Sequence, residues 1–171
     1  MSLEIRLAND SDIPTIHQIM LEVTRNLPSA DLFASNDEEF IAKHISEEGL
    51  IALSDIDGVT SGFQVLRIPG SSEDNLSKFS FVEIPPNEVV HMESVAILPK
   101  ARGKGLQKQL INFCEAIAID ANYKWGFCTV HPRNAPSLNN LLTLGYSTIN
   151  QAELYGGVPR LIMAKNFGKL S

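Results

Sequence analysis

With 171 residues, 44% of them hydrophobic and 20% charged, the chain predicts one globular domain over residues 1–171 burying roughly 70% of its unfolded surface, which excludes a disordered chain. The net charge of −6 argues against the broad basic surface used in non-specific nucleic-acid binding but leaves room for a local basic site. No apolar run approaches the ~18 residues of a membrane span, and the start of the chain, with Glu4, Asp10 and Asp12, is unlike a leader. The expected location is cytoplasmic, with no membrane and no nucleic acid as partner. The two cysteines, Cys114 and Cys128, have the spacing of neither a disulfide framework nor a metal site, so reduced thiols and no metal are expected.

In chain order, Leu3 to Leu7 reads as a first strand. Ile13, Ile16, Ile19, Met20 and Val23 then trace one helical face, with Ser11 or Asp12 as the cap. Asn26 to Ala34 has no clear period. Ser35-Asn36-Asp37-Glu38 has the form of a capping box for a second helix with Phe40, Ile41 and Ile45 inward, and Gly49 is placed to serve as its C′ residue. Two β runs follow, Leu50 to Ser54 and Val59 to Ile68, joined across the hairpin signal Asp55-Ile56-Asp57-Gly58. Pro69 to Asn87 predicts an irregular surface loop, and a loop of that length is usually functional or mobile.

Val89 to Leu98 is rich in β-branched residues and ends at Pro99, which cannot donate to a ladder, so it predicts a central strand. Leu106, Leu110, Phe113, Cys114 and Ile117 recur at helical spacing and predict a long helix with that stripe inward. A strand at Trp125 to Val130, a helix near Pro136 to Leu144, and strands at Tyr146 to Leu154 and Arg160 to Ala164 complete the chain. Trp125 is assigned to the core.

Lys100-Ala101-Arg102-Gly103-Lys104-Gly105 must open the long helix. A helix N-terminus presents unpartnered N–H groups and the positive end of the macrodipole, so it favours an anion. Gly103 and Gly105 let a ligand approach the backbone, and Lys100, Arg102, Lys104 and Lys108 add charge. Because each charge-assisted hydrogen bond is worth roughly 1.5–3 kcal/mol and the dipole only about 0.3–1, a polyphosphate making several contacts suits the turn better than one carboxylate. A plain tight turn with solvated cations remains the alternative reading of these residues.

Ile97-Leu98-Pro99-Lys100-Ala101-Arg102-Gly103-Lys104-Gly105-Leu106 resembles the acetyl-CoA signature of the GNAT N-acetyltransferases, a strand ending V-x-P-x-[YF] followed by R/Q-x-x-G-x-G/A. Arg102 and Gly105 match, while Gln107 stands where Gly or Ala is usual and Ala101 where an aromatic is. His131-Pro132-Arg133-Asn134-Ala135-Pro136-Ser137 with Leu144-Gly145-Tyr146 is similar to the family's H-P-x-N-x-x-[AS] and L-G-[FY] segments, and Ile5-Arg6-Leu7-Ala8 with Ser11-Asp12-Ile13 to its first strand and helix entry. The resemblance implies an α/β (α+β) GNAT-like acyl-CoA N-acyltransferase fold, a mixed sheet of about seven strands flanked by four helices. It also implies that acetyl-CoA and an amine acceptor are the partners, in a monomer or homodimer. By position, the backbone of Val95, Ala96 and Ile97 would hold the pantetheine arm, Arg102, Gly103, Lys104, Gly105, Leu106 and Gln107 the pyrophosphate, and Asn134 and Ser137 the far side of the cofactor. Without the resemblance, Asn134 reads as a turn or helix-cap residue.

Acyl transfer to an amine needs a base, a donor for the oxyanion and an exit for the thiolate. Glu93 and His91 are the candidate catalytic residues, at positions where family members place a general base. By strand parity they share one face with Val89, Val95 and Ile97. Glu93 is the favoured base, and His91 the favoured hydrogen-bonded sheet residue. Leu141 occupies the place of the family's usual tyrosine acid, which a thiol with a pKa near ~8.5 can do without. The expected reaction is acetyl transfer to a primary amine of a small molecule, amino acid or peptide. The alternative is a non-catalytic acyl-CoA-binding module of the same fold, which Leu141 and Gln107 would favour. Glu153 to Arg160 looks like a hairpin over the acceptor mouth.

Overall fold

A computed structural model of the chain describes residues 1–29 and 37–168. The elements are β1 (Leu3–Leu7), α1 (Ile13–Arg25), α2 (Glu38–Ser46), β2 (Gly49–Ile56), β3 (Val59–Arg67), β4 (Val89–Ile97), α3 (Leu106–Asp120), β5 (Trp125–Val130), α4 (Ala135–Thr143), β6 (Ser147–Leu154) and β7 (Val158–Asn166). Seven strands form one sheet in the order β1-β2-β3-β4-β5-β7-β6. Every neighbouring pair is antiparallel except β4 and β5. A parallel pair needs a long crossover, and α3 supplies it.

The β2–β3 hairpin turns at Asp57 and Gly58, both at positive φ (50° and 79°), as a two-residue turn that follows the strand twist requires. Gly49, expected to end α2, instead opens β2 opposite Arg67. A Cβ there would lie 1.9 Å from the Leu66 carbonyl oxygen, so close strand approach, and no left-handed cap, is what requires glycine. Neither Ser11 nor Asp12 caps α1 with its side chain. Asn9 caps the short turn before it, accepting the Ser11 N–H at 3.0 Å, and Asp12 is drawn to Arg6, which also binds Asp55. The Arg6 guanidinium holds the Asp12 carboxyl below the usual carboxylate range. Ser35 and Asn36 of the expected capping box lie outside the described residues. Asp37 is the observed cap of α2, accepting the Phe40 N–H at 2.9 Å.

One face of the sheet packs against α3, with α4 beside it, through Val90, Met92, Val95, Ile97, Cys128 and Met163. The opposite face is covered by α1 and α2 over the β2–β4 half, where Ile16, Met20 and Ile41 meet Leu53, Phe63, Val65 and Ala96. Over β5, β7 and β6 that same face has a loop as its cover: Leu76 and Ile84, from the stretch between β3 and β4, pack on Val89, Phe127 and Ile162. The long loop predicted there thus contains two short 3₁₀ turns, Leu76–Phe79 and Pro86–Glu88, and serves as part of the core.

The inward ridge of α3 differs from the expected stripe. Leu106, Leu110, Ile111, Cys114, Glu115 and Ala118 are buried, while Phe113 and Ile117 are half-buried at its flank. The rotation is set by Glu115, only 5% exposed, whose carboxylate receives Lys165 of β7 at 2.8 and 3.1 Å. A buried carboxylate is tolerated because that partner is there.

Candidate active site

Strand β4 carries an irregularity at its centre. Val65 of β3 pairs with Ser94 and Leu66 with Met92, so Glu93 has no partner on β3 and is the extra residue of a β-bulge. A bulge inverts the alternation of side chains beyond it. Val90, Met92, Val95 and Ile97 therefore all face α3, whereas Val89 and His91, beneath the loop, share the opposite face with Ala96 and Leu98, beneath α1 and α2. This corrects the parity expectation that put His91, Glu93, Val89, Val95 and Ile97 on one face: the extra residue separates Val89 and His91 from Val95 and Ile97.

Beyond the bulge, β4 and β5 part. Their register runs only over Val89–Trp125, Val90–Gly126 and His91–Phe127. From Met92 and Cys128 onward neither strand has the other as neighbour, although β4 stays paired to β3 through Ile97 and β5 to β7 through Val130. The two facing edges thus carry backbone N–H and C=O groups that the sheet does not satisfy, and buried backbone groups need partners. The gap between them holds a cavity of about 80 Å³, and its lining includes Glu93, Val95, Gln107, Asn134 and Ser137. Ala96 and Ile97 continue the β4 edge.

At the end of the gap stands the N-terminus of α3. Its cap is Gly105, at φ 72° and ψ 18°, with no side-chain capping bond, preceded by Gly103 at φ 79°. No backbone acceptor among the described residues receives the N–H groups of Gly103, Lys104, Gly105, Leu106, Gln107 and Lys108. Lys100, Arg102 and Lys104 are exposed around them, and Arg102 Nε donates to the Ile97 carbonyl at 3.3 Å. Uncapped donors, a positive dipole end and surrounding cations are the groups that favour an anion.

The wall toward α4 is a chain of polar side chains. Asn134 caps α4, its Oδ1 accepting the Ser137 N–H at 3.4 Å. Gln107 Nε2 donates to Ser137 Oγ at 3.1 Å, and Asn140 Nδ2 donates to Gln107 Oε1 at 2.8 Å. Gln107, where the signature usually has Gly or Ala, therefore bridges α3 to α4. Leu141 lines the gap as a buried apolar residue.

The other wall holds the chemistry. Glu93 is partly exposed, with Oε2 at 3.5 Å from His91 Nδ1, while His91 Nε2 accepts the Leu76 N–H at 3.0 Å. Tyr155, held in the β6–β7 turn at φ 53°, reaches Thr129 Oγ1 with its hydroxyl at 3.2 Å and stacks its ring on Arg160 at 5.5 Å. Tyr155, Thr129, Arg160 and His131 all line the gap, as does Gln64 from β3. Sequence reasoning did not single out Thr129 or Gln64. The signal for Gln64 was there, one amide inside the apolar run of β3. It is 1% exposed, donates to the Val65 carbonyl, and has no protein partner for Oε1 among the described residues. Tyr146, by contrast, is buried under the sheet with α3 and does not line the gap. Both thiols are buried: burial pushes Cys114 up to about 12 and Cys128 further, although Cys128 is part of the gap wall.

No helix among the described residues is long and apolar enough to cross a membrane. The chain matches no curated protein sequence. It does superpose on solved structures over nearly its whole length. The structure of yncA from Salmonella typhimurium with its cofactor acetyl-CoA is similar at TM-score 0.73 and 17% identity, covering 100% of this chain and 97% of that one. The ribosomal-protein-S18-alanine N-acetyltransferase from Escherichia coli gives 0.72 at 15% identity, covering 99% and 97%. Naa20 from Chaetomium thermophilum in complex with a bisubstrate analogue gives 0.75 at 17%, covering 96% and 87%. The sequence model of the acetyltransferase (GNAT) family matches residues 16–146, most of the chain, and with it the parted strands and the glycine-capped helix have a family: the chain belongs to the GNAT acetyltransferases.

Proposed function

We propose that this acetyltransferase moves an acetyl group from acetyl-CoA to a primary amine of a small molecule, amino acid or peptide, with Glu93 as general base. The observation that carries the reading is the pair of open strand edges leading to an uncapped helix N-terminus. An extended amide-bearing arm ending in a pyrophosphate has the complementary groups. Its amides would bond the β4 edge at Val95, Ala96 and Ile97, and its phosphates the N–H groups from Gly103 to Gln107 with Arg102 and Lys104 nearby. The side chains of Asn134 and Ser137, tied to Gln107, would shape the far wall.

The amine reaches the thioester from the side of Glu93, Tyr155 and Arg160. Glu93 projects from a bulge, a common device for aiming a side chain at a site. A carboxylate there attracts an ammonium ion and takes its proton, directly or through one water, so that the nitrogen lone pair can attack the acyl carbon. The C–N bond forms and the C–S bond breaks, the nitrogen's remaining excess proton passing through water to the departing sulfur; a thiol with a pKa of ~8.5 leaves without a side-chain acid where Leu141 stands. The test is Glu93→Gln, which keeps shape and removes basicity. It lowers kcat by at least ~10-fold, as the loss of a general base that typically contributes about 10²–10⁴-fold requires, with acetyl-CoA affinity little changed. Unchanged turnover in that variant rules Glu93 out as the base.

A further inference from the structure

We infer that His91 is a positioning residue, one that fastens the loop between β3 and β4 to Glu93 and holds that carboxylate ready; the inference rests on Glu93 acting as the base. The argument begins with a donor that cannot change. A backbone N–H has no lone pair, so the imidazole nitrogen that receives it must be unprotonated. His91 Nε2 receives the Leu76 N–H at 3.0 Å, and the single ring proton therefore resides on Nδ1. Nδ1 is the atom that faces Glu93 Oε2 at 3.5 Å. The ring is thereby held in one tautomer, its Nδ1 within 3.5 Å of the carboxylate. With one nitrogen occupied by the loop and the other carrying its proton, His91 has no lone pair to offer an incoming amine. Its action is on Glu93.

The carboxylate needs such a neighbour. As the extra residue of the bulge it lacks a partner on β3, so the pleat that fixes other side chains of the strand does not fix this one. The donor, in turn, is rigidly placed. Asn75, 5% exposed, gathers the loop by donating to the carbonyls of Gly70 at 2.8 Å and Pro86 at 3.3 Å while accepting the Ser77 N–H at 3.0 Å. Asp74 binds Arg67 of β3 through two contacts, 2.8 and 2.9 Å, and Arg67 is the register partner of His91. The charged groups around the ring are thus Glu93 on its own strand, Arg67 on β3 and Asp74 on the loop. From β5 it meets Phe127, which does not titrate. A proton on Nε2 would set N–H against N–H and release the loop anchor at Leu76.

Leu76→Pro tests this. Residue 76 opens a 3₁₀ turn after Asn75 at φ −60° and ψ 119°, a backbone that accepts proline next, so the substitution deletes the N–H. Leu76→Ala is its control: it removes the apolar side chain and keeps the N–H. Carbon-13 and nitrogen-15 NMR of the ring should show the Nδ1–H tautomer in the natural protein and in Leu76→Ala, and a mixture of both tautomers in Leu76→Pro. Turnover in Leu76→Pro should fall about 10-fold or more below Leu76→Ala, with CoA binding retained. Should Leu76→Pro not fold, His91→Asn, which can still accept and donate, should exceed His91→Phe in kcat by a similar factor. An Nε2–H tautomer in the natural protein overturns the inference, as does equal turnover within either pair of variants. If the tautomer is as expected but Glu93→Gln turns over normally, the base assignment fails and the ring geometry stands.

Discussion

Strand β4 has two edges with opposite treatment. Toward β3 it is paired from His91 to Ile97, with one residue slipped at the bulge; toward β5 the pairing ends after three residues. On the closed edge, glycine permits close contact: at Gly62 a Cβ would meet the Ala96 carbonyl oxygen at 2.9 Å, and at Gly49, one strand further out, the Leu66 oxygen at 1.9 Å. On the open edge glycine does something else. Gly105 has nothing nearer than the Gln109 amide at 4.0 Å, and what it supplies is a left-handed backbone beside empty space. The comparison teaches that the same residue type marks either a place where the protein meets itself or a left-handed turn beside open space, and that the space around a Cβ distinguishes them.

The largest effect should come from breaking the closed edge. Gly49→Val forces the β2 and β3 backbones apart and should cost about 3 kcal/mol, at the high end for overpacking. That corresponds to a Tm lower by roughly 6–12 °C for a chain of this size, read by thermal denaturation. A loss under ~2 °C would mean that the edge relaxes freely and that the contrast is overstated.

The open edge is sharpened by adding its ligand. CoA at one hundred times its Kd should stabilise the fold by about 2.7 kcal/mol, and the affinity should weaken as salt rises because phosphates make the contacts. Gly105→Trp, which adds a bulky side chain at positive φ, should abolish that gain. If the natural protein shows no shift with CoA, the open edge has another occupant.

Smallest is the effect at the loop anchor, where β3 ends. The Arg67 guanidinium holds the Asp74 carboxyl at about 2, below an unfolded value near ~3.9. A lowered native value contributes stability that is fully present above about pH 4 and is lost as pH falls through about 2. Asp74→Asn should flatten acid denaturation in that window and leave neutral stability lower only slightly, because the Asp74 side chain is 62% exposed and salt screens it. An unchanged acid limb would assign the slope to other carboxylates.

Most strands and helices could be read from the sequence because their signals are local. The α1 face at Ile16, Ile19, Met20 and Val23 is a period within one helix, and β5 ends where its apolar run ends. The glycine turn that opens α3 was equally legible, since two glycines and four cations lie within nine residues of sequence. What escaped depends on distant partners. The rotation of α3 follows from Glu115 meeting Lys165, fifty residues away. The bulge at Glu93 leaves no mark in a run as uniformly strand-forming as Val89 to Leu98, because only the β3 register reveals the added residue. The loop after β3 lacks period, yet Leu76 and Ile84 join the core, which depends on a sheet face left without a helix.

Cys128 gives the gap a property of another kind. A sulfhydryl beside a thioester is a competing nucleophile, since exchange would move the acyl group onto the protein and leave a modified enzyme in place of a product. Exchange requires the thiolate, and burial in the wall keeps the Cys128 sulfur protonated far above neutrality, as it does for Cys114. Acyl exchange onto this sulfur is disfavoured by the same packing that shapes the wall.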